Sequence, residues 1–112
     1  MICNPKDIVV IPFPFAEKHG VKRRPALIVS VWSFNRGGHS VMAMITSASH
    51  NIWPSDVAVT DLEAAGLSKP SKIRFKLFTL DNRVIIRKLG KLGGVDAEAF
   101  NAELRSVLAR RA

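Results

Sequence analysis

A chain of 112 residues with 47% apolar and 23% charged side chains has the length and composition of one globular core, with little room for a second. Folding at this length buries roughly 65% of the unfolded surface, so neither a disulfide nor a metal is required, and the lone Cys3 excludes an internal disulfide or a thiolate cluster. Seventeen Lys plus Arg against nine Asp plus Glu leave a net charge of +8 and an isoelectric point near 10.4, which makes a polyanion the first partner to consider.

No apolar run approaches the roughly 17 residues that a membrane helix needs. The longest, Ile8 to Ala16, is interrupted by Pro12 and Pro14, and Asp7 offsets the Lys6 before it, so it makes a poor signal peptide. A soluble, reduced, cytoplasmic protein with no membrane segment is the simplest reading.

Ile8-Val9-Val10-Ile11 is a β-branched run that predicts a first strand, closed by Pro-Phe-Pro-Phe. The charged segment from Glu17 to Arg24 contains Gly20 and predicts an exposed loop. Pro25 opens a second strand over 26–31, a position that a strand tolerates. Gly37-Gly38 turns the chain into Ser40 to Thr46, whose continuous apolar character predicts a central strand covered on both faces. Residues 47–55 are polar and predict a loop carrying His50 and Trp53.

Asp56 to Thr60 alternates like a half-exposed strand, and Asp61 caps a helical turn over 62–65 that Gly66 closes. Strands over 73–80 and 84–89 follow, with Asp81-Asn82 between them as a tight hairpin turn. After Gly93-Gly94 a helix is predicted with Asp96 as its N-cap; Ala97, Phe100, Leu104, Val107 and Leu108 form its apolar stripe, with Arg105, Arg110 and Arg111 near its C-terminal end. Six or seven short strands, mostly meander-connected, with one amphipathic helix amount to a mainly β fold: a small bent sheet or barrel with a helix packed on it.

Three absences narrow the chemistry. The chain has no phosphate-binding glycine loop, no dinucleotide fingerprint and no tyrosine. Its histidines stand at 19, 39 and 50 without helical pairing or an adjacent acidic cluster, so neither a metal site nor a cofactor is expected. What remains is a set of cations and hydroxyls at strand ends. Lys22-Arg23-Arg24 precedes one strand, and Thr46-Ser47 ends another. If these strands are neighbours, Arg24 and Thr46 reach one rim, where a guanidinium and a hydroxyl together form a phosphodiester seat.

Each of these residues also has a plainer reading. A charged triplet before a strand is often a solvated edge, and a Thr closing a strand is often satisfied by backbone. Arg74, between Ile73 and Phe75, can be a cross-strand partner of an acid such as Asp56. Trp53 either stacks a base or sits half in the core.

In their order along the chain these elements resemble the MazF/PemK family of bacterial toxin endoribonucleases. The resemblance runs through Asp-Ile-Val-Val at 7–10, Arg-Arg-Pro-Ala-Leu-Ile-Val-Ser at 23–30, Ile-Thr-Ser at 45–47 and Trp-Pro-Ser-Asp-Val at 53–57. It continues through Ala-Gly-Leu at 65–67, Ser-Lys-Ile-Arg at 71–74 and Lys-Leu-Phe-Thr-Leu-Asp at 76–81, and spans residues 6 to about 108. It implies one SH3-like barrel domain with a C-terminal helix, usually a homodimer, that cleaves single-stranded RNA without metal. The partner it implies is a cognate acidic antitoxin that blocks the RNA groove, with DNA contact only through the antitoxin complex.

The family's catalytic Arg falls on Arg24, its Thr-Ser pair on Thr46 and Ser47, and the later-strand Arg of some members on Arg74. The sequence departs from members resembling the Kid toxin, which carry an Asp where Lys76 stands here. Glu17 and His19, in the loop before Arg24, are the expected acid or base, with His50 in reserve. Arg23, Lys22, His50, Trp53, Lys76 and Ser47 are the expected substrate contacts. Two alternatives share the barrel without the chemistry: a nucleic-acid-binding module, and a gyrase inhibitor of the CcdB type.

Overall fold

A computed structural model describes residues 1–13 and 22–109. Six strands among them, β1 (Asp7–Phe13), β2 (Lys22–Ile28), β3 (His39–Ser47), β4 (Val57–Ala58), β5 (Ser71–Asp81) and β6 (Arg87–Lys91), form one antiparallel sheet in the order β4-β5-β3-β2-β1-β6. The sheet curls into a half-barrel. Three helices complete the fold: α1 (Trp32–Asn35), α2 (Leu62–Ala65) and α3 (Gly94–Val107). None is long and apolar enough to cross a membrane.

The inner strands read as unbroken apolar runs because each face of the sheet meets a separate core. Ile8, Leu27, Ala43, Ile45 and Ile73 point to one face and pack with Phe100 of α3. Val9, Ile11, Ala26, Ile28 and Met42 point to the other, with Cys3, Phe13 and Ile85. Phe100 is fully buried and its ring stacks on Phe75 at 5.1 Å, so it anchors α3 by about 2–3 kcal/mol of apolar burial.

The predicted α2 matches the structure: the Asp61 carboxylate accepts from Ala64 N–H at 3.1 Å, and Gly66 adopts φ +72°. A Cβ at Gly66 would lie 2.2 Å from the Leu89 carbonyl oxygen, so only glycine fits this turn.

Several expectations are corrected. First, β2 begins at Lys22, so the charged triplet lies within the strand, paired to β1. Pro25 is tolerated inside it because the ladder to β3 starts only at Ala26. Second, Val29 to Val31 leave the sheet for α1, a turn closed by Ser30 and Asn35 side chains. Third, β5 and β6 are not a hairpin: Asp81 caps a 3-10 turn at Asn82–Val84, and β6 crosses the molecule to pair with β1.

Fourth, Asp96 lies in the first turn of α3 rather than capping it; Gly93 holds the cap position. The buried Asp96 carboxylate accepts from Thr60 N–H, Thr60 hydroxyl and Asp61 N–H at 2.6–2.9 Å, pinning the approach to α2 onto α3. The strand predicted over 56–60 is accordingly reduced to two residues. Arg105 lies in the last turn of α3, while Arg110 and Arg111 fall outside the described residues.

Candidate RNA-binding cleft and active site

The β2–β3 ladder ends at Ala26↔Met44, and Arg24 and Thr46 lie two residues beyond it on their strands, lining one cleft. A cleft of about 530 Å³ opens there. Arg23, Arg24, Thr46 and Ser47 line it with Lys69 and Arg87, so residues from β2, β3, β6 and the segment after α2 meet in one place. Strand alternation then sorts the side chains. Arg24 and Thr46 share a face with Ala26, Met42 and Met44; Arg23 and Ser47 share the opposite face with Leu27 and Ile45.

Thr46 is 4% exposed, and its Oγ1 is hydrogen-bonded to Nδ1 of His50. Across the ladder Thr46 pairs with Lys72 and Met44 with Arg74. The β3–β5 register slips between Ala43 and Met44, a bulge that bends β5 and aims Arg74 and Lys76 at one ring. The Trp53 indole stands over both, 4.5 Å from Lys76 Nζ and 5.5 Å from the Arg74 guanidinium.

Arg74 is 9% exposed and holds Asp56 through two bonds, Nε to Oδ1 at 3.2 Å and Nη2 to Oδ2 at 3.0 Å, while also donating to the Asn51 carbonyl. The acid read from the sequence is therefore its partner, held from the loop before β4 rather than across a strand pair. Burial tends to raise the Asp56 pKa, but hydrogen bonds from Arg74, the Trp53 N–H and Lys72 outweigh it and hold the carboxyl below its ordinary value.

The expected residues thus divide by position. Arg24 and Thr46 line the cleft, and His50 is joined to it through its hydrogen bond to Thr46. Arg23 and Ser47 line it from the other face, with Lys22 exposed at the start of β2. Arg74, Trp53 and Lys76 form an adjoining cationic and aromatic surface. Glu17 and His19 lie outside the described residues. Among the described residues, no three His, Cys, Asp or Glu side chains gather where a metal ion could sit.

Sequence reasoning missed Lys69 and Arg87, which reach the cleft from segments far along the chain. It also missed the anchoring role of Lys72 and Asn51. The alternation Lys72-x-Arg74-x-Lys76 was the available signal for a cationic stripe on one strand face.

The profile described as "PemK-like, MazF-like toxin of type II toxin-antitoxin system" matches residues 4–108. The fold is similar to a chain of the MazE–MazF complex from Deinococcus radiodurans, with TM-score 0.74, 19% identity and 96% of both chains covered. It is also similar to a mycobacterial endoribonuclease solved with its cognate antitoxin, with TM-score 0.70, 18% identity, and coverage of 94% of this chain and 91% of that one. For the Mycobacterium tuberculosis toxin MazF-mt6 the TM-score is 0.66 at 19% identity, with 88% of this chain and 93% of that one covered. No curated protein matches the sequence significantly.

Proposed function

Because the chain belongs to the PemK-like, MazF-like toxins of type II toxin–antitoxin systems, we propose that it is a sequence-selective endoribonuclease of single-stranded RNA, acting without metal in the cytoplasm as one toxin domain. The observation that supports this reading is that Arg24 and Thr46 line one cationic cleft, with His50 hydrogen-bonded to Thr46.

RNA carries its own nucleophile beside each phosphate, so cleavage needs proton transfer and fixed positive charge rather than an added cofactor. The 2′-oxygen attacks phosphorus as its proton is taken up. The bond to the 5′-oxygen breaks as that oxygen gains a proton, leaving a 2′,3′-cyclic phosphate and a 5′-hydroxyl. Arg24 stabilises the charge that develops on the phosphorane oxygens, and Thr46 adds a donor beside it. His50 is the titratable side chain joined to Thr46; with Nδ1 engaged there, Nε2 is the ring nitrogen that exchanges a proton with substrate. Lys69, Arg87, Arg23 and Ser47 hold the flanking phosphates.

Neighbours solved with MazE or a cognate antitoxin support an antitoxin as partner; on this reading it is acidic and covers the cleft of a homodimeric toxin, with DNA reached only through that complex.

The test is to incubate the protein with a long RNA in EDTA and map the cut ends. Fragments ending in cyclic phosphate and 5′-hydroxyl at a recurring sequence are expected. Intact RNA would overturn the reading in favour of a non-catalytic barrel that binds nucleic acid or a protein target.

A further inference from the structure

The loop 48–56 carries His50, and its backbone carbonyls are held by two cations of β5. Lys72 Nζ donates to the carbonyls of His50 at 2.6 Å and of Asn51 at 3.3 Å, and Arg74 donates to that of Asn51. Both cations converge on Asp56, with Lys72 Nζ at 3.4 Å and Arg74 Nη2 at 3.0 Å from Oδ2. Oδ2 also accepts from the Trp53 N–H at 3.2 Å, so the carboxylate closes the loop on itself. All three ionic side chains are mostly buried, with 11–13% exposed. The same loop has Ser55 at φ +63°, a left-handed conformation that a non-glycine residue keeps only where its surroundings hold it.

The geometry points to Asp56, Lys72 and Arg74 as positioning residues: an ionic clamp that fixes the loop so that His50 stays on Thr46. On this assignment Arg74 contributes to catalysis through His50 and does not touch the scissile phosphate. Its guanidinium is committed to Asp56 and Asn51, whereas Arg24 lies on the cleft itself. The clamp also makes sense of the lysine at 76. With the ionic partner for Arg74 supplied by Asp56 from the loop, position 76 on β5 is open to a cation under Trp53.

The inference rests on the ribonuclease reading for its kinetic consequence but not for its geometry, and the experiment separates the two. RNA cleavage is measured against RNA concentration for the wild type, Asp56→Asn, Asp56→Glu, His50→Ala and the double variant Asp56→Asn/His50→Ala. Asp56→Asn is expected to lower kcat by about 10- to 100-fold through a misplaced His50. KM should stay level or fall, since a negative charge has left a cationic surface. Asp56→Glu should recover part of the rate.

In the His50→Ala background, Asp56→Asn should change kcat by less than about twofold, because both substitutions remove one device. Effects that multiply would overturn the clamp. If Asp56→Asn does not fold, Lys72→Met removes the bond to the His50 carbonyl and must show the same dependence on His50.

The second readout needs no activity. The ring proton signals of His50 should move in Asp56→Asn toward those of a histidine with no side-chain partner, while those of His39, at the far end of β3, stay put. Unmoved His50 signals would overturn the clamp. A wild type that never cuts RNA would overturn the ribonuclease reading, leaving these spectra to decide the clamp.

Discussion

At the His39 end of β3, Ser40 donates to Asn82 Oδ1 at 2.6 Å, and Asn82 Nδ2 donates to the Asn35 carbonyl at 2.6 Å. Asn35 in turn donates to the carbonyls of Cys3 and Ser30, and the Ser30 hydroxyl accepts from the Val41 N–H. Ser40, Asn35 and Asn82 are buried, and the network ties α1, β3 and the 3-10 turn together. At the Thr46 end, nine residues or fewer away, hydroxyl and guanidinium groups line an open cleft with Lys69 and Arg87, and His50 is bonded to Thr46 beside it. One end spends its polar groups on the chain's own amides, where an unmade bond is expensive. The other keeps cations at a water-filled surface, where a phosphate can displace solvent. The same strand therefore closes a buried polar network at one end and opens a cationic cleft at the other.

The sharpest way to break this comparison is to alter each end singly. Arg24→Ala should reduce RNA cleavage by ~10²–10³-fold with little change in the unfolding midpoint, because one transition-state donor is removed from a half-exposed position. Cleavage near the wild-type rate would refute the division. Asn82→Ala should do the reverse. It strands the Ser40 hydroxyl and leaves the Asn35 carbonyl with the Gly38 N–H alone, costing about 2 kcal/mol and lowering the midpoint by about 10 °C, while the rate per folded molecule holds. Thermal unfolding beside cleavage assays reads both.

A smaller effect sharpens which cations belong to the open end. With ~4 phosphates contacted, affinity for single-stranded RNA should fall with salt at a log–log slope of about −3. Lys69→Ala or Arg87→Ala should flatten that slope by about 0.7 each, and Arg83→Ala, beside the closed end, should leave it alone. A binding titration at several salt concentrations distinguishes them.

The smallest effect is a pH dependence. The Asp56 pKa is lowered in the folded protein, so its ion pairs stabilise the fold above the unfolded-state value of about 4. That contribution disappears as pH falls through the lower folded value. The gap in unfolding midpoint between wild type and Asp56→Asn should be full at neutral pH and close below about pH 4. A gap unchanged at pH 2 would mean that the carboxylate's charge is irrelevant to the loop.

Much of the site was legible because strand alternation and register are local rules. Residues 24 and 46 sit at the ends of two adjacent apolar runs, so antiparallel pairing of those runs brings them together. The Asp61 cap and the Gly66 stop of α2 were legible for the same reason: both signals lie within four residues of the bonds they make. Misreadings arose where a short polar residue has two local uses and a distant partner chooses between them. Asp96 looks like a cap but serves Thr60 and Asp61 across the fold, and Asp81-Asn82 looks like a hairpin turn but opens a crossover.

What the sequence determined by itself is the alternation: which side chains share a face, and where apolar runs demand burial on both sides. These depend on the period of the strand and the apolar pattern, which are written residue by residue. The tertiary structure alone decided that β6 crosses to β1 and carries Arg87 to the cleft, and that one carboxylate from a loop is held by two cations of β5. Such pairings join positions tens of residues apart, and the energy that selects them exists only once the sheet has closed and excluded water.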